Sequence, residues 1–421
     1  MRVRPRRIAP RGRRPVAAVG VGLVAAVLVG VVLVAAVLPS CTVQVDRRVV
    51  EGEVEERTEA AFYRVPDPLP PGRPGELVRA ERLLGAPTGA RAWRILYHSR
   101  DVHGTDVAVS GVVLAPDGPG RDRPVVSWGH PTTGTAPRCA PSVGIDPFDT
   151  IEGARALVRA GFVVVATDYP GMGAAGPQSY LIGATEGRSV LDAARAARRV
   201  DGTGAGTRLL LWGHSQGGHA VLFAAREAAG YAPDLQLRAL AAAAPAVELG
   251  VLLHDDQELP SGTTLGAYAF HAYDEVYGPT TPGLDLGQVL SPAGVVATPQ
   301  LAALCLFGQH RALQHLAAPL VGNYVEHDPA RVPPWSELLA ANTPTTDPYG
   351  VPMLVAQGTA DKVVDPSTTI GYVRGLCRAG QPVDLHLEPG VSHALVAVRA
   401  VDDVVSFFDD ALAGRAVRST C

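Results

Sequence analysis

The apolar run 209–212 (Leu-Leu-Leu-Trp) ends in Gly213-His214-Ser215-Gln216-Gly217-Gly218, and Ala220, Val221, Leu222 and Phe223 follow at once with helical character. A strand that reverses into a helix through Gly-x-Ser-x-Gly leaves few folds open to the chain. The turn is sharp enough to force the central residue into a strained backbone conformation, and side chains at Gly213 or Gly217 would collide with neighbouring backbone. The helix behind the turn points free N–H groups at an anion formed beside the serine. Ser215 is therefore expected as a nucleophile, with the Gln216 N–H as one donor to its oxyanion.

The segments around this turn point to one α/β architecture. Residues 93–99 and 106–115 alternate polar and apolar side chains about Asp101-Val102-His103-Gly104, as an antiparallel hairpin does. Apolar strands at 124–128, 162–167 and 208–212 then alternate with helical stretches at 150–160 and 186–200, which predicts a mostly parallel, doubly wound sheet buried on both faces. Another strand follows at 239–245. Regularity is then lost until a strand at 352–357, a helix around 367–377, a strand at 383–387 and a closing helix at 394–412. The interval is rich in Pro, Gly, His and Tyr, with a short helical piece at 299–307, and reads as a helical cap inserted between two late strands. The expected divisions are a signal or anchor segment at 1–40, a linker or extended arm at 41–75, core at 76–248, cap at 249–348 and core again at 349–421. A length of 421 residues with 47% hydrophobic and 19% charged residues suits one large domain with such an insertion.

The N-terminal forty residues read as an address. Arg2, Arg4, Arg6, Arg7, Arg11, Arg13 and Arg14 precede 23 uncharged residues at 16–38, which as a helix would reach about 34 Å, enough to cross a bilayer. The basic flank holds the N-terminus in the cytoplasm and sends the rest outward. Leu38-Pro39-Ser40-Cys41 resembles a bacterial lipobox, with Pro39 departing from the usual residue. Three fates are open: lipidation at Cys41, cleavage near Val34-Ala35-Ala36, or an uncleaved anchor. Seven of the 37 basic residues lie in this leader, so the body is more acidic than the net −4 of the whole chain. That balance argues against a nucleic-acid partner. Cys139, Cys305, Cys377 and Cys421 remain once Cys41 is set aside; no Cys-x-x-Cys and no Cys/His cluster with zinc spacing occurs. No metal is expected, and in an oxidising compartment four dispersed cysteines make two disulfides in one of three pairings.

A serine hydroxyl needs a base, and the base an orienter. In α/β-hydrolases these follow the nucleophile in the order acid, then histidine. Asp361 lies in the loop leaving the strand at 352–357, and His393 lies between the strand at 383–387 and the last helix. Both sit at carboxyl ends of strands, where open α/β sheets assemble their sites. Asp365 is the rival acid, already turning toward a helix. His214 adjoins the serine but is expected to face away or line the pocket. His130 has a structural role or lines the site, and His254, His271, His310, His315 and His327 fall in the cap. The second oxyanion donor is expected from Gly129-His130-Pro131-Thr132-Thr133-Gly134, with Thr133 preferred to Thr132. Gly171-Met172-Gly173-Ala174-Ala175-Gly176 fits Gly-x-Gly-x-x-Gly, but Pro170 and Pro177 flank it and no acidic strand end follows, so it reads as a loop near the site and not a nucleotide cradle.

From about Phe62 onward the chain resembles the secretory lipase family, whose fungal members include the A-type lipase of Candida. The resemblance rests on Pro74-Gly75-Glu76-Leu77, Val126-Ser127-Trp128, Cys139-Ala140-Pro141-Ser142, the serine turn, Gly358-x-x-Asp361 and His393-Ala394. It implies an α/β-hydrolase with an inserted helical cap and a triad of Ser215, Asp361 and His393. It puts the loop donor at Thr133, where the family often has an acidic residue. It also implies a disulfide from Cys139 into the cap at Cys305 and a second near the C-terminus, Cys377–Cys421. The implied activity is that of an exported lipase or carboxylesterase, without cofactor, acting on acylglycerols or small esters and meeting a lipid or membrane interface. Transfer of the acyl group to an alcohol, or peptide hydrolysis on the same fold, are the alternative reactions.

Overall fold

The computed structural model describes residues 61–144, 146–255 and 259–421. The leader, Cys41 and the first part of the expected arm lie outside these residues. The strands are β1 (Leu77–Leu83), β2 (Ala90–Arg100), β3 (Asp106–Pro116), β4 (Arg123–Gly129), β5 (Val163–Thr167), β6 (Ala205–His214), β7 (Gln236–Ala243), β8 (Met353–Gly358) and β9 (Val383–Glu388). They form one sheet in the order β1-β2-β3-β5-β4-β6-β7-β8-β9. Pairing is antiparallel from β1 to β3 and between β3 and β5, and parallel from β5 through β9.

Strand β6 shows why the interior runs are continuously apolar. Leu209 and Leu211 face one side, against helices α2 (Gly183–Ala197) and α3 (Gln216–Tyr231), while Leu210 and Trp212 face the other. That second face is covered by α1 (Ala154–Arg159) and α10 (His393–Leu412). Each such side chain, fully buried, stabilises the fold by about 1.5–3 kcal/mol. The sheet is thus an α/β-hydrolase sheet with both faces sealed, and its loops gather at the carboxyl ends of the parallel strands. β4 and β6 run in register from Val125 opposite Leu209 to Gly129 opposite Gly213, which sets the loop after β4 beside the serine turn.

Between β7 and β8 the chain forms α4 (Leu249–Asp255), α5 (Pro260–Tyr277), α6 (Pro292–Ala302), α7 (His310–Ala317) and α8 (Trp335–Ala341). These helices have their own core around Tyr268, Phe270, Tyr273, Tyr324 and Trp335. The helix expected at 299–307 instead spans Pro292–Ala302. Ser291 caps it by accepting from the Gly294 N–H at 3.1 Å, and Pro292 occupies its first turn. Pro299 lies inside the helix; proline suits a first turn, which is why the sequence suggested a start there. Strand β1 was not expected: its LVRAERL sequence is half-exposed at the sheet edge and carries no clean alternation. Of the expected arm, Phe62 and Tyr63 are buried against Leu96, Ala108 and Ala174.

Helix α9 (Pro366–Arg378) and the C-terminal tail are joined by Cys377–Cys421, and Cys139–Cys305 joins the segment after β4 to the turn that follows the cap helix α6. The first bridge closes a loop with a sequence separation of 44. Replacing Cys377 and Cys421 together by serine is expected to lower the unfolding free energy by about 2–4 kcal/mol. Urea denaturation of the two proteins would measure it, and an unchanged midpoint would contradict it.

Candidate active site

The serine turn is built by close backbone approach. A Cβ on Gly213 would lie 2.1 Å from the Gly217 carbonyl oxygen, and one on Gly217 would lie 1.8 Å from that of Gly129. Neither contact is physically attainable, so both positions require glycine. Ser215 itself sits at φ 57°, ψ −117°, a conformation that costs on the order of 1–3 kcal/mol. It is held there by its N–H donating to the Ala243 carbonyl at 2.9 Å and by its own carbonyl accepting from His219 N at 3.0 Å. The strain lifts the side chain clear of β6 and α3.

Two other strand ends bring their side chains to it. His393, the first residue of α10, has Nε2 2.9 Å from Ser215 Oγ and Nδ1 2.8 Å from Asp361 Oδ2. A carboxylate facing Nδ1 fixes the proton there, which leaves Nε2 as the acceptor for the serine O–H. Asp361 is held on its other side: Oδ1 accepts the Val363 and Val364 N–H groups, each at 2.9 Å, and Gln357 Nε2 donates to Oδ2 at 3.1 Å. Burial alone would push the Asp361 carboxyl up, but hydrogen bonding and charge from His393, with the two N–H groups, hold it below the ordinary range. Burial also pushes His393 below its ordinary value, against the opposing pull of Asp361. Asp365 lies away from the histidine, its carboxylate accepting from Ser367 N at 2.7 Å to cap α9.

The remaining candidates separate by their partners. His214 Nε2 donates to the His393 carbonyl at 3.0 Å, and its Nδ1 faces Glu152 Oε1 at 3.3 Å. It supports the backbone of His393 from behind. His130 is fully buried, with Nδ1 on the Pro131 carbonyl at 2.6 Å. Thr133 turns its hydroxyl to the Cys139 carbonyl at 2.9 Å, and its N–H has no hydrogen-bond partner among the described residues. Thr132 Oγ1 pairs with Tyr180 Oη at 3.0 Å. The N–H of Gln216, at the first position of α3, is free of intrahelical bonding by geometry. Glycine-rich residues 171–176 run as turns after β5 and do not open a helix; α2 begins only at Gly183. Three residues escaped sequence reasoning: Gln357, which steadies Asp361; Glu152, behind His214; and Glu186, beneath Gln216. Each is a polar residue in a stretch whose periodicity marks only the apolar neighbours.

Beside Ser215 lies a cavity of about 30 Å³, on the order of two water molecules. Its walls are apolar, from Tyr180 and Leu181 of the core, Leu252, Leu253 and Leu265 of the cap, and Val364. Among the described residues no helix is long and apolar enough to cross a membrane.

Residues 149–272 match the family model described as secretory lipase. "Lipase A" of Moesziomyces aphidis is 26% identical over 190 residues, covering 42% of this chain and 40% of its own length. A "Probable inactive lipase" of Mycobacterium tuberculosis (strain CDC 1551 / Oshkosh) is 27% identical over 207 residues, covering 45% of this chain and 46% of its own. The chain thus spans less than half the length of these curated relatives. The crystal structure of Candida Antarctica lipase A superposes with a TM-score of 0.70 at 18% identity, covering 86% of this chain and 87% of that one. Through residues 149–272 the chain is similar in sequence to the secretory lipase family, and its sheet and cap share the α/β-hydrolase fold of the Candida Antarctica lipase A structure.

Proposed function

We propose that the chain is an exported serine ester hydrolase, a lipase or carboxylesterase. The observation that carries this reading is the unbroken line Asp361–His393–Ser215, with links of 2.8 and 2.9 Å, on a strained serine turn. In the proposed reaction His393 Nε2 takes the Ser215 proton as Oγ attacks the ester carbonyl carbon. The resulting oxyanion lies at the Gln216 N–H and a loop N–H assigned to Thr133. The carbonyl reforms as the C–O bond to the alcohol breaks, and the alcohol leaves with the proton from His393. Water, deprotonated by the same histidine, then cleaves the acyl–serine ester and releases the acid. No cofactor enters these steps. The cavity beside Ser215 is too small for more than a short acyl group, so longer substrates require the cap helices α4 and α5 to move. Two disulfides accord with passage to an oxidising compartment.

Hydrolysis of nitrophenyl esters from C2 to C16 by the protein and by its Ser215→Ala variant tests the proposal. Serine-dependent turnover reaching C12–C16 identifies a lipase; turnover confined to C2–C4 identifies a carboxylesterase. Equal rates in the two proteins would remove Ser215 as the nucleophile and leave the chain with its relative named as an inactive lipase.

The pH profile carries a second expectation. His393 must be neutral to accept the serine proton, so activity is present above its pKa and lost as pH falls through it. Burial sets that pKa below the ordinary histidine value, about 6.5. The acidic limb of kcat/KM is therefore expected to have its midpoint below about 6.5. A midpoint above 7 would show that burial does not govern the base.

A further inference from the structure

Glu186 has a carboxylate in the interior, on the first turns of α2 and fully buried. Burying a carboxylate is costly unless its oxygens are satisfied. Here they are satisfied by three groups of different origin. Oε1 accepts from the Leu181 N–H at 3.0 Å and from Gln216 Nε2 at 2.6 Å, while Oε2 faces His219 Nδ1 at 3.3 Å. His219 Nε2 lies 2.8 Å from the Asn342 carbonyl, which can only accept, so that nitrogen carries a proton. The Nδ1–Oε2 contact is then favourable only if a further proton lies between ring and carboxylate.

Each partner bears on the site. Leu181 is held at φ 56° and walls the cavity beside Ser215. Gln216 contributes the N–H that follows the nucleophile, and its Oε1 is buried without a partner among the described residues, so Glu186 is the one hydrogen-bond anchor of that side chain there. His219 reaches the cap through Asn342, which also accepts from Gly183 N at 2.9 Å, while Tyr273 of α5 donates to the Leu181 carbonyl at 3.1 Å. An oxyanion donor works only when it is aimed before charge develops.

We propose that Glu186 is the positioning residue of the oxyanion hole, fixing the Gln216 N–H through its side chain and seating the cap on the same carboxylate. This rests on the ester-hydrolase reading above.

The test compares Glu186→Ala, Glu186→Gln and Gln216→Met with the unaltered protein, using 4-nitrophenyl butyrate for kcat and KM. Phenylboronic acid serves as a reversible tetrahedral mimic. Glu186→Ala and Gln216→Met are expected to lower kcat 10- to 100-fold, with KM within threefold, and to weaken boronate inhibition in parallel. Glutamine at 186 can accept from Leu181 and Gln216 through its oxygen and donate to a neutral His219, so Glu186→Gln should restore kcat to within about fivefold. Gln216→Met keeps Glu186 in place and reads the same anchor should Glu186→Ala not fold. Full kcat in Gln216→Met, or in a folded Glu186→Ala, overturns the proposal while leaving the nucleophile assignment intact. Loss of KM and thermal stability without loss of boronate affinity overturns it in favour of a merely structural carboxylate. Unaltered protein with no Ser215-dependent turnover overturns both readings.

Discussion

Ser215→Ala is expected to lower kcat for a short-chain nitrophenyl ester by about 10⁶-fold while leaving the thermal midpoint nearly unchanged. The removed atom accepts no structural load: the turn is held by the Ser215 backbone through Ala243 and His219, and φ 57° is as available to alanine as to serine. His393 Nε2 loses its partner at 2.9 Å but keeps Asp361 at 2.8 Å, so the ring stays in place. Chemistry and fold are therefore separable at this position. A residual rate within tenfold of the unaltered protein would mean that another group attacks the ester.

Asp361→Asn is expected to lower kcat by about 10⁴-fold, whereas Asp365→Asn should stay within threefold. The reason lies in the loop. Oδ1 of Asp361 accepts two backbone N–H groups, from Val363 and Val364, and must remain an oxygen in the variant. The amide nitrogen is thereby forced into the Oδ2 position, facing His393 Nδ1. An N–H donor there selects the imidazole tautomer that has its proton on Nε2, where it cannot receive one from serine. Asp365 is exposed and caps α9 through Ser367 N, a task asparagine performs as well. Steady-state kinetics of the two variants, with circular dichroism to verify folding, separates the rivals. Equal losses would show that the whole loop, and not one carboxylate, orients the histidine.

The contrast between these two aspartates shows where a sequence is legible. Strand β6 and helix α3 announce themselves because an apolar run, two obligatory glycines and a helix are contiguous. Asp361 and His393 are recognisable because each follows a strand whose apolar run is equally plain, and the structure brings them within hydrogen-bond distance across 32 and 178 positions of chain. Edge strand β1 is not legible, since none of its residues is fully buried and nothing there demands alternation, and α6 starts seven residues before the proline that suggested its beginning. Glu186 is hidden for a different reason. In an amphipathic helix a glutamate reads as solvent-facing, and only the long-range arrival of Gln216 and His219 makes its burial tenable. The disulfide pairing likewise came from likeness to a family and not from spacing, because cysteines 166 positions apart carry no local signal.

That bridge has a mechanical consequence. Besides Cys139–Cys305, the Leu306 N–H donates to the Thr133 carbonyl at 2.9 Å and Thr135 Oγ1 to the Ala302 carbonyl at 3.1 Å, while Arg138 binds the Ala303 carbonyl. The end of α6 and the loop after β4 are one welded edge. Any swing of the cap that admits a substrate must either drag residues 129–140 along or pivot about this edge as a door does on its jamb. Only the second motion opens the apolar side at Leu252 and Leu265 while the loop stays aimed at the serine. Under the proposed reaction, the disulfide and these three hydrogen bonds together decide whether opening the entrance and keeping the loop assigned to the oxyanion aligned are compatible events.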